Sequence, residues 1–143
     1  MLGEKYIAED ITQNVFLKLY ENLGNIRKTQ SVVPWLYITA RNEVYSHWRK
    51  EKIKREIHLD EENEYKSNEN ISADLEGAEI KELIKTEINN LNIELKETFI
   101  LREYSELSYK EISQILNVEE SQVKGRLFRA RQKLVERISK LVR

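Results

Sequence analysis

Strand-like alternation is nowhere sustained in this chain, whereas apolar residues recur at helical spacing in several stretches. The clearest pattern begins at Ser108, where Glu111 follows three residues later in the arrangement of a capping box. Ile112, Ile115 and Leu116 give the short helix that opens there one apolar face. Asn117 suits a left-handed C-cap, Val118 can plug the turn, and Glu119 or Glu120 opens a second helix, where a carboxylate complements the positive helix end. Along that second helix Val123, Leu127, Ala130, Leu134, Ile138 and Leu141 mark a buried stripe, leaving Lys124, Gly125, Phe128 and Arg129 to face elsewhere. Two helices around a tight turn are the predicted arrangement, a helix-turn-helix.

Upstream, Ala8 to Asn22 predicts an amphipathic helix with Ile11, Val15, Phe16, Leu19 and Leu23 inward and Glu9 and Asp10 in its first turn. Its other face offers Asp10, Gln13, Asn14 and Lys18. Gly24 to Pro34 breaks the pattern, and Pro34 is pre-set for the first turn of the next helix, Trp35 to about Arg55. There the stripe runs through Trp35, Leu36, Ile38, Thr39, Val44 and Trp48, while Arg41, Arg49, Lys50 and Lys52 interleave with Tyr37, Tyr45 and His47. Aromatic rings among cations suit nucleic acid, since rings stack on exposed bases while Arg and Lys neutralise phosphates. Ile71 to Leu91 predicts a helix opening at Ser72, with Leu75, Ile80, Leu83, Ile84, Ile88 and Leu91 inward. Asn92 caps a further helix to Tyr104, whose apolar residues are Leu95, Phe99, Ile100 and Leu101.

Composition sharpens this picture. In 143 residues, 34% are charged and one is Pro, which favours an all-α chain of two small helical domains over a sandwich or barrel. The net charge of −1 conceals segregation. Acidic residues crowd the middle, between the basic segment Arg41 to Arg55 and a C-terminal helix carrying Arg126, Arg131, Lys133, Arg137 and Lys140. The stretch Glu56 to Asn70, acidic, rich in Asn and poor in apolar residues, predicts a flexible linker that DNA repels. The chain has no cysteine, which excludes disulfides and thiolate metal sites. Without a membrane-length apolar run or a secretion-signal layout, the expectation is a cytoplasmic protein with no membrane insertion. His47 and His58 are isolated and no Gly-rich phosphate loop is present, so neither an enzyme nor a cofactor is expected. His58, Asp60 and Glu62 read as part of a solvated acidic run rather than as a metal site.

Leu107 to Leu134, with SYKEISQIL and VKGRLFRARQKL, resembles the promoter-reading helix-turn-helix of sigma domain four. AEDITQNVFLKLYENL followed by WLYITARNEVYSHWRK resembles the second half of sigma domain two in the sigma-seventy family, in its extracytoplasmic-function (ECF) group. The resemblance implies an incomplete domain two over 1–55, a linker over 56–70 and domain four over 71–143. It implies a bacterial transcription initiation factor with core RNA polymerase, through the beta-prime clamp helices and beta flap, and promoter DNA as partners, and allows an anti-sigma factor. Carried onto this sequence, the clamp-facing positions are Asp10, Gln13, Asn14 and Leu17. The minus ten positions are the loop Arg27 to Val33, including Lys28, with Tyr37 and Asn42. The minus thirty-five positions are Lys124, Gly125, Phe128 and Arg129, with Arg126 and Arg131 as backbone contacts.

Three departures accompany the resemblance. Family members carry about one further helical hairpin ahead of the Ala8 helix, which would leave Ile7, Ile11 and Phe16 short of packing partners. The loop SVVPW lacks the aromatic usually found shortly before the tryptophan, and Gly125 stands where serine is common. The competing reading is a stand-alone helix-turn-helix regulator that binds DNA without polymerase.

Overall fold

The computed structural model describes residues 5–26, 32–57 and 76–141. The chain divides into two compact units, Met1–Glu69 and Asn70–Arg143. Every regular element among the described residues is helical.

In the first unit α1 (Lys5–Asn22) packs against α2 (Val32–Ile57), and a single 3-10 turn (Leu23–Asn25) follows α1. α1 starts upstream of the expected Ala8, so Glu9 and Asp10 fall beyond its first turn instead of within it. Its buried residues are Ile11 and Val15, one turn apart, with Leu19 half-buried behind them. Phe16 and Leu23, expected inside, are exposed. The reason is angular: residues one step along a helix are turned by about 100°, so seating Val15 on α2 swings Phe16 away from it. An ion pair between Lys18 and Glu43 ties the two helices at their edge.

Pro34 sits in the first turn of α2 and is buried, as its fixed φ and missing N–H allow there. The expected stripe of α2 is only half-buried at Trp35, Leu36, Val44 and Trp48. The helix continues through Glu56 and Ile57, beyond Arg55, with Lys54 and Arg55 in its last turn, where the negative helix end favours cations.

The second unit contains α3 (Glu76–Asn89), α4 (Ile93–Glu103), α5 (Tyr109–Leu116) and α6 (Glu120–Leu141), and α6 packs on the other three. Ile88, Leu91 and Leu95 close on Ala130 and Leu134, with Ile84, Phe99, Ile100 and Ile138 around them. Towards the start of α6, Val123 and Leu127 are buried, as are Leu107, Ile112, Ile115 and Leu116. Each such aliphatic side chain contributes about 1.5–3 kcal/mol on full burial, so α6 is held chiefly by its stripe. Two expected core positions lie outside it: Ile80 and Leu141 are exposed. Three polar residues are buried beside the core, Glu87, Glu97 and Thr98, and the Thr98 hydroxyl donates to the Glu94 carbonyl at 2.8 Å.

Candidate nucleic-acid interface

The joint between α5 and α6 is built almost wholly from local hydrogen bonds. Ser108 Oγ accepts from the Glu111 N–H and Glu111 Oε1 accepts from the Ser108 N–H, each at 3.1 Å, closing the capping box. At the other end of α5, Asn117 adopts φ 54°, the left-handed cap conformation, and its N–H donates to the Ser113 carbonyl. Ser113 Oγ donates back across the turn to the Val118 carbonyl at 2.6 Å. α6 is then started by a device that sequence reading missed. Gln122 Oε1 accepts from the Glu119 N–H at 3.1 Å, which is the back-reaching half of a capping box with Gln at the third helical position. The signal was present in the spacing from Glu119 to Gln122.

With Val123, Leu127, Ala130 and Leu134 buried, the opposite face of α6 is fixed by geometry. Lys124, Phe128 and Arg129 are exposed on it, Phe128 at 67%. Gly125 lies among them, and a Cβ built on it would stand 3.5 Å from Arg129 Nη1. The arginine side chain therefore runs back along the helix over the glycine. Ser121, exposed one turn earlier on the same face, was not singled out from the sequence.

The remaining cations of α6 behave differently. Arg126 is only 16% exposed at its side chain and stands 3.8 Å from Glu94 on α4. Arg131 donates from Nε to Glu103 at 3.0 Å, and Arg137 stands 3.8 Å from the largely buried Glu87 on α3. Lys140 pairs with Glu136 one turn away. Among the described residues, Lys124, Arg129 and Lys133 are in no ion pair. Arg126 and Arg131, expected as backbone contacts, are thus placed against carboxylates of their own unit.

On α1, Asp10, Gln13, Asn14 and Leu17 are all exposed and share one face at steps of three and four. Leu17 is 61% exposed, an apolar side chain with a polar border. On α2, Val33 and Tyr37 share a face one turn apart, Val33 exposed and Tyr37 half-buried. Asn42 is exposed but lies about 180° round the helix from Val33, so these three positions do not form one patch. Further along α2, Arg41 Cζ sits 4.8 Å from the Tyr45 ring centroid, and Tyr45 meets Trp48 edge to face at 5.2 Å. Arg27 and Lys28 fall outside the described residues, as do His58, Asp60 and Glu62. Among the described residues no group of three or more metal-ligating side chains occurs, and no helix is long and apolar enough to cross a membrane.

Residues 1–53 match the family described as Sigma-70 region 2, and residues 81–134 match Sigma-70, region 4. An ECF RNA polymerase sigma factor of Bacillus subtilis, SigM, is 34% identical over 134 residues, covering 94% of this chain and 81% of the relative. This chain belongs to the ECF group of the sigma-70 family. Other ECF and sigma relatives are also similar. The Pseudomonas aeruginosa RNA polymerase sigma-H factor is 28% identical over 95% of this chain and 75% of its own length, and the Escherichia coli K12 sigma-E factor is 27% identical over 94% and 75%. Among solved structures, the sigma factor RpoE in its co-crystal with the anti-sigma factor NepR from Bartonella quintana matches with TM-score 0.72 and 24% identity, over 92% of this chain and 80% of that one. That likeness bears on the fold, which is the all-α fold of an ECF sigma factor. Sigma factors are non-enzymatic initiation factors, and both region 2 and region 4 of the family are matched in this chain.

Proposed function

We propose that this sigma factor directs core RNA polymerase to promoters by dividing the work among three surfaces. The outward face of α6 reads the minus thirty-five duplex. Lys124 and Arg129 are suited to guanine edges in the major groove and Phe128 to thymine methyl groups. Ser121 adds a hydroxyl at the end of the helix that enters first. The observation that carries this reading is that Lys124, Phe128 and Arg129 stand exposed together on a helix whose opposite face is buried. Arg126 and Arg131 serve first to fasten α6 to α4 through Glu94 and Glu103, and approach phosphates only by exchanging those carboxylates.

In the first unit, Asp10, Gln13, Asn14 and Leu17 form the clamp-facing surface, an apolar centre with a polar border. Arg27, Lys28, Val33, Tyr37 and Asn42 are proposed for the minus ten element. Support for Val33 and Tyr37 is their shared face on α2, while Asn42 would contact another part of the melted strand. The acidic stretch 56–70 is proposed as the tether between domain two (1–55) and domain four (71–143). In this role the protein works in the cytoplasm, uses no cofactor and catalyses no reaction, and an anti-sigma factor is a further proposed partner.

Capture by core RNA polymerase tests the division of labour. The double variant Asp10→Lys, Gln13→Lys should lose capture while retaining its helical content by circular dichroism. Capture at the wild-type level would sink the clamp-facing assignment.

A further inference from the structure

At the margin of the α6 reading face, an aromatic ring from α5 holds a cation from α6. Tyr109 is the first residue of α5, directly after the Ser108 cap, and is half-buried. Lys124 Nζ lies 5.6 Å from the centroid of its ring. The same ring carries a second cation, Arg102, whose Cζ lies 4.5 Å from the centroid. Arg102 is itself anchored, because its Nη1 donates to the Leu107 carbonyl at 2.8 Å in the turn leading to α5. The ring is therefore fixed twice, by the helix start it belongs to and by a guanidinium pinned to the preceding turn.

A lysine side chain is among the most expensive to order, since it has many rotamers to lose. An ammonium within about 6 Å of a ring centroid is attracted by the negative face of the ring, and Lys124 keeps this contact while remaining exposed. We infer that Tyr109 is a positioning residue for promoter recognition: its ring pre-sets the Lys124 ammonium beside the recognition helix, lowering the ordering cost of the contact Lys124 makes with DNA. The inference rests on the reading of α6 as the minus thirty-five helix. It assigns the work to the ring face and none to the phenolic hydroxyl.

The test uses holoenzyme assembled from the full chain and core polymerase, with promoter duplexes selected by the wild type from a pool randomised around the minus thirty-five element. Tyr109→Phe should bind within twofold of wild type. Tyr109→Leu should weaken binding by about two- to fivefold and should cost nothing further in a Lys124→Ala background. It should also relax base preference only where Lys124→Ala relaxes it. Equal damage from Tyr109→Phe and Tyr109→Leu, or effects of Tyr109→Leu and Lys124→Ala that multiply, would overturn the proposal. A measurement independent of how the leucine variant folds is the NMR position of the Lys124 side-chain methylene protons in the free chain. Ring current should move them upfield in wild type and in Tyr109→Phe, and ordinary lysine positions in wild type would overturn the proposal equally. Failure of the wild type to select any duplex would instead remove the DNA reading of α6, while leaving the ring-current result to stand by itself.

Discussion

Arg131 on α6 donates from Nε to Glu103 on α4 at 3.0 Å, and so is spoken for within its own unit. Both side chains are partly exposed, at 49% and 39%. A pair this open to solvent is worth about 0–1 kcal/mol to the fold. Glu103→Ala should therefore change stability by less than about 1 kcal/mol and release a cation beside the reading face. The expected signature is tighter duplex binding with a steeper dependence on salt, by about 0.9 in the log–log slope for one added phosphate contact. An unchanged slope would mean that Arg131 has no phosphate within reach.

Ser108→Ala removes one half of the box that starts α5 and strands the Glu111 N–H. A loss of about 1 kcal/mol is expected, read as a lower midpoint in urea with no change in m. The α5 to α6 segment was the most legible in the sequence because all its signals are local. The serine, the glutamate three residues on and the asparagine that ends the helix each act on backbone within one turn. α1 was read less well. Phe16, Leu17 and Tyr20 make it apolar on more than one side, so periodicity admitted several ways of seating it, and only α2, through Ile11 and Val15, selects one. The pairs of Arg126 with Glu94, Arg131 with Glu103 and Arg137 with Glu87 were invisible for a different reason. Charge patterning gives sign and density along the chain, whereas these carboxylates lie far back in sequence on other helices.

Glu106 adopts φ 55° in the turn between α4 and α5 without being glycine or asparagine. That region costs an ordinary residue about 1–2 kcal/mol, so Glu106→Gly should stabilise the second unit by about 1 kcal/mol. Thermal denaturation followed by circular dichroism would show it as a raised midpoint. A lowered midpoint would show that the glutamate side chain stabilises the turn by more than its backbone strains it.

Leu127 is 1% exposed on the buried side of α6, and Val135 is 65% exposed on the same helix. Leu127→Ala should cost about 2–5 kcal/mol, against less than about 0.5 kcal/mol for Val135→Ala. Comparable losses in chemical denaturation would refute the seating of α6 described above.

Lys124→Ala and Arg129→Ala should each weaken binding to the cognate duplex by about 1–3 kcal/mol. Arg129→Ala should leave the melting temperature unchanged, because the side chain is exposed and in no ion pair among the described residues, whereas Lys124→Ala also removes the contact with the Tyr109 ring and should cost no more than about 0.5–1 kcal/mol. Binding that survives both changes would exclude this face of α6 as the reader.

Asn117 and Ser113 stitch the corner between α5 and α6 from the inside, and Gln122 closes the start of the second helix. On the proposed reading of α6, the angle between the two helices is cut by hydrogen bonds within the chain itself. What contact leaves to arrange is a few side chains, so the speed of promoter engagement by this unit should follow how often the two bodies meet and not wait on a folding event.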